Sequence, residues 1–183
     1  MGKTRALVLA MVLLLSACGP GPRTSPPPVP TATPTLPPAG DCYWIWATQP
    51  LPDVTARLQA ALEAVGLSGA TGEAFAYGEN CIDYQSGAVR GFAAMETDFT
   101  FHLPAADVND LEALGNLAGQ ILVVLDQFPV GSTPGPQPGQ VEIAFTGGGG
   151  ESRLMFTMER AANVRSRGLT GAALLEALPE GEP

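Results

Sequence analysis

The sequence predicts an α+β domain in which an antiparallel sheet carries helices packed on one face. Three observations carry that reading: strand-length runs in which apolar and polar residues alternate, two longer stretches with apolar residues at helical spacing, and Gly/Pro punctuation between them. The resulting order is β-α-β-β-α-β-β-α. Alternation gives each strand one dry and one wet face, as in an antiparallel sheet covered on a single side.

The elements follow in order. Tyr43 to Thr48 is a β-prone run closed by Pro50 and Pro52. Asp53 is placed to cap a helix whose Val54, Leu58, Ala61, Leu62 and Val65 share one side, with Gly66 as its stop. Residues 73–78 read as a strand, and the polar stretch from Glu79 to Gly87, which holds Cys81, as a connection. From Arg90 to Leu103, Met95, Thr97, Phe99, Phe101 and Leu103 point one way, and Glu96, Asp98, Thr100 and His102 the other. Asp107 is expected to cap a core helix that runs to Phe128 with Leu111, Leu114, Ala118, Ile121, Leu122 and Leu125 inward. After Pro129 and a Pro/Gly loop to Gln140, Val141, Ile143 and Phe145 alternate with polar and small residues. Gly147 to Gly150 then form a hairpin turn, and Leu154, Phe156 and Met158 alternate on the return strand. Thr170 caps a last short helix with Leu174, Leu175 and Leu178 inward, and acidic residues and Pro183 close the chain as an expected frayed end.

Ahead of this domain the composition changes. The first 40 residues hold no Asp or Glu but do hold Lys3, Arg5 and Arg23. Lys3 and Arg5 precede ten uncharged apolar residues, Ala6 to Leu15, too few to span a bilayer as a helix, and Ser16, Ala17 and Cys18 follow. Leu15-Ser16-Ala17-Cys18 resembles the lipobox of bacterial lipoproteins, a likeness confined to residues 1–18. The resemblance implies that the signal peptide, residues 1–17, is removed and that Cys18 carries acyl chains; two or more such chains anchor a protein stably. Residues 19–40 hold nine prolines in 22 positions, so 18–40 is expected to be the lipidated Cys and a Pro-rich linker reaching at most about 70 Å as polyproline II. The single α+β domain is placed at 41–183. The protein is thus expected at the cell membrane, lipid-anchored and facing the extracytoplasmic side of the envelope.

The resemblance also sorts the three cysteines. With Cys18 committed to lipid, Cys42 and Cys81 remain as a pair in an oxidising compartment, and a disulfide is favoured over two buried thiols or a metal pair. Closing a loop of about 40 residues stabilises the fold by about 4 kcal/mol in the chain-entropy account. A ferredoxin-like core is an alternative architecture, but its parallel first two strands would hold Cys42 and Cys81 at opposite ends of the sheet. Bridged Cα atoms must lie within about 7 Å, so either the segment carrying Cys81 folds back or the topology differs.

Function is less legible. From residue 41 onward six Arg stand against 18 acidic groups, a net of −12, which disfavours nucleic acid and anionic lipid headgroups as partners. Glu96, Asp98 and His102 share the polar face of one strand; Glu96 and Asp98 can flank a cation, while His102 lies too far along to join them without a bend. The ordinary reading of that face is a solvated surface. Gly147 to Gly150 lack the Lys-Ser/Thr and helix of a phosphate loop, and no Gly-x-Ser-x-Gly is present. Trp44 and Trp46 share one face of the first strand, where they either stack on a sugar, peptide or partner or pack under a helix or against the disulfide. The expectation is therefore a membrane-anchored domain that binds an envelope protein or small ligand without a cofactor and is not an enzyme. A small envelope enzyme with an acidic, metal-assisted site is the alternative.

Overall fold

The computed structural model describes residues 42–179. The signal peptide, Cys18, the Pro-rich linker and the final four residues lie outside the described residues. The order is β1 (Cys42–Pro50), α1 (Pro52–Ala64), β2 (Thr71–Asp83), β3 (Val89–Asp107), α2 (Leu111–Leu125), β4 (Gln137–Gly148), β5 (Gly150–Thr157), α3 (Met158–Ser166) and α4 (Gly171–Ala177). The strands lie in one sheet in sequence order, β1-β2-β3-β4-β5.

The α+β class holds, but the sheet is mixed. β1–β2, β2–β3 and β4–β5 are antiparallel, whereas β4 runs parallel to β3. The cause is α2: a 15-residue helix and the loop behind it carry the chain back across the sheet, as a parallel neighbour requires. The first two strands are antiparallel neighbours, so the fold is not ferredoxin-like. This resolves the cysteine conflict, because Cys42 and Cys81 come within 5.4 Å (Cα to Cα) and form the disulfide.

Small side chains seat α1. Gly72, Ala74 and Ala76 line the inner face of β2, and a Cβ on Gly72 would come within 2.8 Å of Leu58 Cδ2. Leu58 and Leu62 are thereby fully buried. The helix start is stitched to the sheet: Leu51 N–H donates to Ala74 O at 2.9 Å, and Ala74 N–H donates to Thr55 Oγ1 at 3.0 Å. Further across the sheet, Phe99, Phe101, Ile143 and Phe145 rise into the same core, where Leu114, Ala118, Ile121 and Leu125 of α2 meet them. α4 crosses α2 closely, since a Cβ on Gly115 would sit 1.8 Å from Gly171 O.

Several local expectations are corrected. Asp53 lies inside the first turn of α1, which begins with Pro52, and Leu51 is the cap residue. Asp110, not Asp107, caps α2 by accepting from Ala113 N–H at 3.0 Å; Asp107 instead accepts from Asn109 N–H at 2.9 Å. Leu111 is exposed, before the helix meets the core. Thr170 makes no side-chain cap, and Glu112 of α2 accepts from Ala172 N–H at 2.9 Å in its place. Leu175 of α4 is only partly buried. Met158 is not a strand residue but opens α3, a helix unexpected from its polar sequence; Thr157 caps it through Arg160 N–H (3.1 Å), and Ala161 and Val164 pin it to the core. Cys81 is in β2 rather than in a connection, because Cys81, Ile82 and Asp83 are buried by pairing on both sides.

Candidate functional site

With the described helices gathered on one face, the other face of the sheet is open among the described residues, and strand register decides what stands on it. The even residues of β2 from Gly72 to Gly78 are buried, so its odd residues look outward. Trp44 pairs with Cys81, Trp46 with Glu79, Thr48 with Tyr77 and Pro50 with Phe75. On the far side of β2, Tyr77 pairs with Glu96, Phe75 with Asp98 and Thr71 with His102.

One irregularity shapes this face. The register shifts between Tyr77 and Gly78, leaving Met95 as the extra residue of a bulge in β3, and so only partly buried instead of inside with Thr97. Gly78 permits it, because a Cβ there would meet Ala93 O at 2.0 Å. Beyond the bulge the small residues Ala93 and Gly91 pair with Glu79 and Cys81 on the open face. A low floor of small residues thus lies beside the tall rings of β1.

Trp44 is 38% and Trp46 58% exposed, so neither is packed under a helix. Trp46 stacks on Tyr77, with ring centroids 5.3 Å apart and planes within 3°. Trp44 stands opposite Cys81, beside the Cys42–Cys81 bridge that ties the end of β1 to β2. At that end Tyr43 meets Tyr84 at 5.4 Å. Asp83 closes the β2–β3 turn: its Oδ1 accepts from Gln85 N–H (2.9 Å), Ser86 N–H (2.7 Å) and Ser86 Oγ (2.8 Å), while Arg90 pairs with its other oxygen. These hydrogen bonds, aided by Arg90, hold its carboxyl below the ordinary range.

The acidic residues line the next strip. Partial burial, and then the neighbouring Asp98 charge, push the Glu96 carboxyl up. Burial also raises Asp98, against a lowering from the Gln140 N–H that its Oδ1 accepts at 2.8 Å. The loop before β4 helps cover Glu96: Gly135, at φ +92°, would place a Cβ 2.5 Å from its amide N. Glu96 and Asp98 are therefore brought together. His102 is exposed four residues beyond Asp98, about 13 Å along the strand, between Thr71 and Ala144, and is not gathered to them. Among the described residues no three His, Cys, Asp or Glu side chains are grouped to hold a metal ion.

Sequence reasoning missed Tyr77, Phe75 and Glu79. Their signal was present, since Glu73, Phe75, Tyr77 and Glu79 alternate with Gly and Ala; however, ending the strand at 78 hid its continuation. The face has a shallow hollow of about 190 Å³ around Phe75, Asp98 and Met155. A larger cavity, about 410 Å³, lies on the helical side between α2 and α3, lined by Leu122, Leu125, Pro129, Met158 and Arg165. No family model, curated protein or solved structure matches this chain.

Proposed function

We propose that the chain is a lipoprotein held on the extracytoplasmic side of a membrane by acyl chains on Cys18, and that its domain is an interaction module whose contact surface is the open sheet face. One observation carries the interaction reading: two tryptophans, 38% and 58% exposed, stand on a sheet face that none of the described helices covers. Large aromatic rings left in water at such a site mark a contact surface, because covering them removes apolar area from solvent while the ring edges still select a partner. The lipobox supports the anchor, and the nine prolines between Cys18 and the domain support a spacer.

Two experiments test the reading. Cells fed labelled palmitate should incorporate label into the wild-type protein and not into Cys18→Ser; label in both or in neither defeats the anchor. Hydroxyl-radical footprinting should show Trp44 and Trp46 protected on intact cells relative to the purified protein, and equal oxidation in the two states defeats the interaction module.

A second reading, a small envelope enzyme, draws on Glu96 and Asp98, whose raised carboxyls stand side by side. Its metal-assisted form requires Ca²⁺, Mg²⁺ or Zn²⁺ to raise the melting temperature of the purified protein, with the rise lost in Glu96→Gln; no rise removes that form.

A further inference from the structure

We infer that the partner of the open face is a basic, extended polypeptide segment, laid along Trp44, Trp46 and Tyr77 with its Lys or Arg groups against the rings and toward Glu79, Glu96 and Asp98. This rests on the interaction-module reading and names the chemistry of the partner.

Three features select it. The first is shape. β1 is an edge strand of nine residues, and its exposed face continues onto β2 without an enclosing wall. A hollow of about 190 Å³ is too small and open for a small molecule, whose sites usually enclose about 300–1,000 Å³. A long, shallow face suits an extended chain, and the edge of β1, unpaired among the described residues, offers backbone groups to a further strand. Edge strands are ordinarily protected by charged side chains or Pro, yet β1 carries no charged residue and its one Pro, Pro50, stands at its last position.

The second feature is charge. Glu79 stands opposite Trp46, Glu96 opposite Tyr77 and Asp98 opposite Phe75, so a carboxylate flanks each ring row. Among the described residues, the ion pairs engage Asp83, Glu142, Glu151 and Asp126, and none engages these three carboxylates. The one cation on the far part of the same face, Arg153, is held by Glu142 at 2.6 Å and Glu151 at 2.5 Å. Asp98 and Glu96 oppose each other's charge, and an incoming cation relieves that repulsion.

The third is the pairing of rings with carboxylates. An ammonium or guanidinium over an aromatic face gains a cation–π contact, and adjacent carboxylates add to it. An acidic or neutral segment gains neither. A second copy of this domain, with its excess of acidic groups, is repelled by the same strip.

The two tryptophans of the chain both lie on this face, so intrinsic fluorescence reads the site alone. The full mature chain in detergent is titrated with a short peptide of alternating Lys and Ser, and with Gln–Ser and Glu–Ser counterparts. The Lys peptide should change the emission saturably, with affinity falling as salt rises, and the other two should not. Glu79→Gln with Glu96→Gln should weaken the Lys peptide by about tenfold while leaving the far-UV circular dichroism of the free protein unchanged. Trp46→Ala should weaken it similarly. Equal binding of the Gln peptide, or full binding by the double Gln variant, overturns the cationic partner while leaving the contact face standing. No response to the Lys peptide also overturns it; the interaction module itself fails only if the footprint on cells shows no protection.

Discussion

Trp46 and Tyr77 lie face to face across the β1–β2 pair, their ring planes within 3° and their centroids 5.3 Å apart. They are not directly opposite in register: Trp46 pairs with Glu79 and Tyr77 with Thr48, so the stack is a diagonal contact. Such contacts between neighbouring strands are within reach of aromatic side chains. The stack holds the indole in one orientation while leaving more than half of Trp46 in solvent. A ring fixed in this way loses less freedom when a partner covers it.

Because Trp46 is exposed, its loss should leave the fold nearly intact. Trp46→Ala should cost about 0.5–1.5 kcal/mol, the value of an aromatic pair beyond its area. Tyr77→Ala should cost more, since Tyr77 is half-buried in a strand paired on both sides. Urea unfolding followed by far-UV circular dichroism measures both, and equal costs would show that the pair packs as a single unit.

The Cys42–Cys81 bridge closes a 39-residue separation and anchors the edge strand that carries both tryptophans. Reduction, or Cys42→Ser with Cys81→Ser, should lower stability by about 4 kcal/mol. Mass spectrometry of unreduced peptides should recover the two cysteines linked. Hydrogen exchange should then show β1 opening before β3 and β4, because among the described strands β1 has a neighbour on one side only.

Two glycines of α2 should respond oppositely to the same substitution. At Gly115 a Cβ would fall 1.8 Å from Gly171 O, so Gly115→Ala must push α4 away and should destabilise by about 1–3 kcal/mol. At Gly119 the nearest atom, Leu174 Cδ2, is 3.4 Å away, and the gain in helix propensity is about 1 kcal/mol. Gly119→Ala should therefore be neutral or stabilising. Thermal unfolding of the two variants side by side decides it.

Acid should act on this domain with two signs. Glu96 and Asp98 have folded pKa values above their unfolded ones, so the folded state binds more protons in that window. Their contribution to stability is greatest below the unfolded pKa and declines as pH rises through the folded value. Asp83 is lowered, so its contribution is present above the unfolded pKa and disappears as pH falls through the folded one. At neutral pH, Glu96→Gln should raise the melting temperature and Asp83→Asn should lower it, and both differences should shrink toward pH 3. Melting curves at a series of pH values measure this; a Glu96→Gln variant less stable than wild type at pH 7 contradicts it.

By itself, the sequence determined the class of the fold, most of the α1 and α2 core stripes, and the inward residues of β3 from Thr97 to Leu103, of β4, and Leu154 and Phe156 of β5, because each follows from the spacing of apolar groups along one segment. Phe99, Phe101, Leu103, Val141, Ile143 and Phe145 are all buried as their alternation requires. The opposite-facing partners, half-buried Glu96 and Asp98 and exposed His102, follow from the same period. Local pattern, however, is blind to which segments meet. Only the tertiary structure decided that β1 pairs antiparallel with β2, that β4 runs parallel to β3, and that a bulge at Met95 changes which residues share a face. Those choices rest on contacts between residues far apart in the chain: the small seat of Gly72, Ala74 and Ala76 under α1, the approach of Gly78 to Ala93, and the crossing at Gly115 and Gly171. They set Tyr77 and Glu79 beside Trp46, making a surface from residues that, read along the chain, are thirty positions apart.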